Sequence, residues 1–249
     1  AGTVLVAVLW LYSSNVHMPS GHQLLIITEG SALITAAYLL FVKALSSGVI
    51  GVISPIGNSY PMVTVLLSVL FLSEVLSGQQ LGSIIAIVAG AALLAYEKNT
   101  KNIPLSKLHK ETMLAVAAAV TWGLAFFVLD QVIGKISWQT ITICVELTML
   151  AIASLLLIAA SRSNTLADAK KSLSSRTALL TGIIGTFGGI TFYLGSDAAG
   201  SIIIPTVLSS AGPLVTSALG AVYDHEKIGT LKRLGAVILI AGIIILNVT

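Results

Sequence analysis

The chain is made of apolar runs about 20 residues long, continuous and separated by short polar clusters. A run of that length crosses the hydrocarbon core of a bilayer as a helix. The two-residue alternation of a membrane barrel is missing from these runs. Only 9% of the residues are charged, against roughly 25% in a soluble domain, so the chain cannot clothe a water-facing surface. The expected fold class is an all-α polytopic membrane protein. A short first span is expected at 3–14, with full spans at 24–45, 49–73, 80–96, 111–132, 136–160, 176–198, 202–223 and 232–247.

One segment occurs twice. PMVTVLLSVLFLSE begins at Pro61, and PLVTSALGAVYDHE begins 152 residues later at Pro213. The same offset brings Thr64 onto Thr216, Glu74 onto Glu226, Gly48 onto Gly200 and Gly30 onto Gly182. After one inserted residue, LGSIIAIVAG matches LGAVILIAG. The spans over 24–96 and 176–247 are therefore two copies of one three-helix unit. The pair at 111–160 precedes the second copy. An equivalent pair before the first copy predicts a ten-helix parent of two five-helix repeats, with the first helix and part of the second absent from this chain. The expected organisation is a first repeat at 1–96, a linker at 97–110 and a second repeat at 111–249. Five helices per repeat place the copies in opposite orientations, an inverted-repeat design with substrate held near the midplane.

Charge supports an orientation. Of the 13 basic residues, only Lys135 falls on the face opposite the lysine-rich loops at 97–110, 161–175 and 224–233. The positive-inside rule makes those loops cytoplasmic and the C-terminus external, in a bacterial or archaeal cytoplasmic membrane. The basic residues read as topology signals rather than a nucleic-acid surface.

Three features carry candidate chemistry. Ser54, Asn58, Pro61, Val65 and Ser68 share one helical face, matched in the second copy by Thr206, Ser210, Pro213, Ser217 and Gly220. Such a small, polar, proline-bearing stripe suits a water-lined wall with a hinge at Pro61 and Pro213. It equally suits close helix packing in which the hydroxyls bond their own backbone. Trp122 lies near mid-depth in VTWGLAFF, with Phe126 one turn on, and reads as a ligand platform or a packing aromatic. Trp122, Phe126 and Tyr38, with Ser54, Asn58, Thr206 and Ser210 of the stripes, form the candidate substrate-contact set. Glu146 is the deepest carboxylate and is the candidate for proton coupling, or a glutamate paired with a neighbouring helix. Glu29, Glu74 and Glu226 sit at helix ends. GIIGTFGG at 182–189 lacks a preceding strand and reads as helix packing. The single cysteine, Cys144, and four histidines without HExxH spacing give no metal site, and no cofactor is expected. No nucleophile–base set is visible, so an enzyme is not expected.

The stretch ALSSGVIGVISPIGNSYPMVTVLLSVLFLSEVLSGQQLGSIIAIVAGAALL (44–94), its copy at 198–246 and AVTWGLAFF resemble the drug/metabolite transporter superfamily, EamA type. The resemblance implies a ten-helix basket, alternating access and export of amino acids or related metabolites, with Trp122 and the two stripes at the central cavity. The partners so implied are a small metabolite and the bilayer, with protons a candidate partner through Glu146. A non-transporting membrane scaffold is the alternative. A nucleotide-sugar or phosphate antiporter would need Lys or Arg at mid-depth, and Lys43 lies too near a span end.

Overall fold

A computed structural model describes residues 18–45, 50–72, 75–95, 105–160, 176–223 and 229–247. The short span at 3–14, Gly48, Glu74, Glu226 and the loop at 161–175 lie outside them. The described residues form ten helices: α1 Gly21–Leu45, α2 Ile50–Gly57, α3 Tyr60–Phe71, α4 Gly78–Ala95, α5 Leu105–Asp130, α6 Trp138–Ala160, α7 Arg176–Ala199, α8 Ile203–Ser209, α9 Gly212–Tyr223 and α10 Thr230–Asn247. No strand occurs among the described residues. Segments Gly21–Leu45, Ile53–Phe71, His109–Asp130, Trp138–Ala159 and Leu179–Ala199 are long and apolar enough to cross a membrane. The chain is an all-α polytopic membrane protein. Its large exposed side chains fit that solvent: Leu66, Leu70 and Phe71 on α3 stand open, as lipid-facing residues do.

Local chemistry fixes the helix ends. Ser20 and Gln23 form a reciprocal capping box at α1. The Ser20 N–H donates to Gln23 Oε1 at 2.8 Å, and the Gln23 N–H donates to Ser20 Oγ at 3.3 Å. Ser77 and Gln80 repeat the device at α4, at 3.0 and 3.1 Å. Gly200 ends α7 at φ +67°, a left-handed turn that glycine makes without strain. Within the helices, Ser31 and Thr35 donate to carbonyls one turn back, the way a hydroxyl is satisfied without water.

The two spans expected at 49–73 and 202–223 are each broken in two. The break falls at Asn58–Ser59 in one and at Ser210–Ala211 in the other, which are equivalent positions in the repeat. The turn bonds correspond as well. The Ser59 N–H donates to Ile56 O and the Met62 N–H to Ser59 O, while the Ala211 N–H donates to Leu208 O and the Leu214 N–H to Ala211 O. Pro61 and Pro213 consequently sit in the first turn of α3 and α9, where a missing N–H has no helical partner to lose. α5 starts at Leu105, inside the expected linker, directly after Pro104.

The structure divides into two compact units, one of residues 1–35 and 128–202 and one of 36–127 and 203–249. In the first, α6 packs on α7 through Ile143 and Ile190, with Trp138 and Cys144 beside them. Gly30 lets Leu129 lie against the α1 backbone: a Cβ there would meet Leu129 Cγ at 2.6 Å. The Asp130 carboxylate accepts the Ile202 N–H at 2.8 Å, just ahead of α8. In the second unit, α4 lies along α10 at backbone distance. A Cβ on Gly90 would meet Gly235 O at 2.7 Å, and one on Gly242 would meet Ser83 O at 3.0 Å. Ile84, Ile87, Ala91 and Leu94 pack there against Leu239 and Leu246, joined by Val65 of α3 and by Ile203 and Val207 of α8.

Candidate functional site

The second unit holds an aromatic cluster built on Trp122 of α5. Tyr38 meets the Trp122 ring edge-on, at a centroid distance of 5.0 Å and an interplanar angle of 84°. Phe41, one turn nearer the end of α1, lies at 5.3 Å. Tyr60, the first residue of α3, lies at 5.7 Å and also covers Phe126 at 5.4 Å. Trp122 is only 8% exposed and Tyr38 is 51% exposed. Trp122 thus backs the cluster, and Tyr38 presents its outer face.

Two close contacts hold this arrangement. Gly123 lets α3 press on α5: a Cβ there would run into the Val63 side chain and lie 3.0 Å from Tyr60 O. The fully buried Thr64 hydroxyl is within 3.3 Å of Gly123 O and 3.4 Å of Tyr60 O. Gly57 does the same for α1, because a Cβ there would strike the Phe41 ring.

The two breaks meet beside the cluster. The Tyr60 hydroxyl is hydrogen-bonded to Ser209 Oγ, joining the start of α3 to the end of α8. Ser209 Oγ–H donates onward to Thr206 O at 2.7 Å, so Tyr60 is the donor to Ser209. Thr206 is fully buried, and its own hydroxyl has no hydrogen-bond partner.

The stripe residues divide by role. Asn58 Nδ2 donates to Ser54 O at 2.8 Å and approaches Ser54 Oγ at 3.3 Å. Ser59 Oγ donates to Ile56 O, and Ser210 Oγ to Val207 O. Each of these carbonyls also accepts the backbone N–H of the same residue, so the side chains bond back onto their own turns. Pro61 and Pro213 are buried at the first turns of α3 and α9. Glu146 belongs to the other unit. It is half-buried on α6 and accepts a hydrogen bond from the Thr186 hydroxyl of α7 at 3.3 Å.

The structure therefore brings Tyr38, Trp122 and Phe126 into one cluster and sets Thr206 next to it along α8. It places Asn58 and Ser210 in the turns and Ser54 in the last turn of α2. Tyr60, Ser209, Phe41 and Thr64 are the site residues that sequence reasoning missed. The signal was present in GNSYP and SSAGP, turn-formers crowded before a proline, which mark an interruption of the helix.

The model of the EamA-like transporter family matches residues 1–96 and 109–248. The chain belongs to the EamA-like transporter family. As an EamA-like transporter it is an integral membrane protein that moves small molecules. No curated protein matches its sequence. Solved structures do: one described only as "Crystal structure of protein" aligns with a TM-score of 0.71 at 15% identity, covering 99% of this chain and 81% of that one. At that identity the likeness is one of fold. Among the described residues of this EamA-like transporter, no group of His, Cys, Asp and Glu is placed to hold a metal ion.

Proposed function

We propose that this chain is a secondary transporter that exports amino acids or related small metabolites by alternating access. The observation carrying the reading is the pair of equally broken helices that meet at Tyr60 and Ser209 beside the Trp122 cluster. In a bilayer, broken helices persist where they are buried in protein or line a polar cavity, and such breaks mark substrate sites in repeat-built transporters. On this reading the repeats are 1–96 and 111–249, joined by 97–110 and inverted in the membrane. The two stretches matched by the family model support that division. The lysine-rich loops face the cytoplasm and the C-terminus faces outward.

Tyr38, Trp122 and Phe126 supply the apolar wall of the site, with Tyr60 added. Ser54, Asn58, Thr206 and Ser210 supply its polar edge, and Pro61 and Pro213 start the moving half-helices. Glu146, with Thr186 as its hydrogen-bond partner, is the proton carrier. The bonding of Asn58 and Ser210 to their own helices favours the scaffold reading instead, since both polar groups are already satisfied.

The test is uptake and counterflow in proteoliposomes with an amino-acid and metabolite panel, at matched and opposed pH gradients. Tyr38→Ala should cut transport at least tenfold while leaving the protein folded, because that ring is half open. Glu146→Gln should abolish the response to the gradient. Wild-type vesicles inert toward the whole panel, together with Tyr38→Ala and wild type binding ligands equally poorly, would turn the reading to a scaffold.

A further inference from the structure

We infer that the Tyr60–Ser209 bond is a latch between the two broken spans, and that the buried Thr206 hydroxyl takes up a partner when the latch opens. The inference rests on the transport reading above and adds to it a named moving contact.

The latch joins the two breaks, which fall at equivalent places in the two copies. Tyr60 opens α3 immediately after the first break, and Ser209 closes α8 immediately before the second. Their counterparts by the repeat offset are Gly212 and Gly57, so only one of the two symmetric contacts has side chains to make it. The bond is also part of a chain: Tyr60 donates to Ser209, which donates to the Thr206 carbonyl. Such chains strengthen each member.

Each side of the latch has a different anchor. Tyr60 is held to α5, through Trp122, Phe126 and the Gly123 contact. Ser209 belongs to α8, seven residues long and ended by the break, packed on α3 and α4.

Thr206 shows that the observed arrangement is not fully satisfied. Its hydroxyl is entirely buried, on the same short helix, and pairs with nothing. A buried polar group without a partner is costly and rare. The closed state accepts that cost while the Tyr60 bond to Ser209 fixes the end of α8. When the latch opens, α8 is free to turn the Thr206 hydroxyl onto an acceptor. The two groups thus bias one element in opposite directions, which is the requirement for a switch.

The test needs no known ligand. Spin labels at Leu66 of α3 and at Ile204 of α8, in a Cys144→Ala background, report the separation of the two spans. Wild type should show one dominant distance. Tyr60→Phe, which keeps the ring and removes only the donor, should raise a second, longer population at least threefold. Thr206→Val, which removes the unpaired hydroxyl at nearly constant volume, should shrink that population. Identical distributions in all three proteins would overturn the latch.

A second measurement covers labels that disturb packing. Leu66→Cys with Ile204→Cys, the labelling positions themselves in the Cys144→Ala background, bridged by a reducible bis-methanethiosulfonate, should halt transport, and reduction should restore it. Undiminished transport in the bridged protein would overturn the proposal. If wild-type vesicles transport nothing, the transport reading fails, while the label distances still decide the latch.

Discussion

At the residue scale, Gly123 is the position that most directly sets the site. Its absent side chain leaves room for Val63 and the Tyr60 carbonyl, and Tyr60 reaches Trp122, Phe126 and Ser209 from there. Replacing it by a larger residue pits a gain in helix propensity against overpacking. The clash wins, because the opposing Val63 atoms are the branch point of a side chain and Tyr60 offers backbone. Gly123→Leu should destabilise by about 1–3 kcal/mol, as overpacked cores do. It should also remove ligand-dependent stabilisation, both read by thermal unfolding in detergent. A Gly123→Leu protein that melts like wild type would mean that α3 and α5 do not press together here. Trp122→Ala should behave differently from Tyr38→Ala: loss of a buried aromatic costs about 3–5 kcal/mol, so its effect on transport will be mixed with unfolding.

At the scale of elements, the breaks in the two spans show how a sequence rule takes its meaning from place. Proline inside a membrane helix frees a carbonyl and suggests a bend. Here two turn residues come first, each copy starts a new helix, and the proline falls where its missing N–H costs nothing. Pro61→Ala should therefore change thermal stability by less than about 1 kcal/mol, far below the roughly 3 kcal/mol scale of an interior helix proline. Asn58→Ala should cost more. It removes one of two donors to Ser54 O, which keeps the backbone N–H of residue 58, and loss of an ordinary hydrogen bond costs about 0.5–1.5 kcal/mol. Equal melting temperatures for Asn58→Ala and Pro61→Ala would show that the Asn58 bond does not hold the turn. The capping boxes at Ser20 and Ser77 are a further local device; Ser77→Ala should lower stability by about 1 kcal/mol, read the same way.

At the scale of the whole molecule, the most intimate helix pair is α4 with α10, one from each copy. Gly90, Gly235 and Gly242 bring their backbones to distances no side chain tolerates. Membrane helices have no hydrophobic drive toward one another in lipid, so close packing must hold them. Gly235→Leu should separate the pair and convert a monodisperse protein to an aggregate in size-exclusion chromatography. A monodisperse Gly235→Leu protein would mean that the glycines are incidental to the fold.

Much of this was determined by the sequence alone, because the relevant forces are local. Continuous apolar runs must become helices in lipid, since no other local structure satisfies the backbone there. The repeat at an offset of 152 residues placed the spans, and α3 and α9 obey it to the residue. Trp122, Phe126 and Tyr38 were legible as unusual aromatics within apolar helices. What only the tertiary structure decided was who meets whom. Tyr60 and Ser209 are 149 residues apart and carry no pattern that pairs them. Thr206 and Ser54 are equivalent by sequence, yet Ser54 has Asn58 beside it and the Thr206 hydroxyl has nothing. Helical periodicity records which face of a helix is buried, and the neighbours that bury it come from distant parts of the chain.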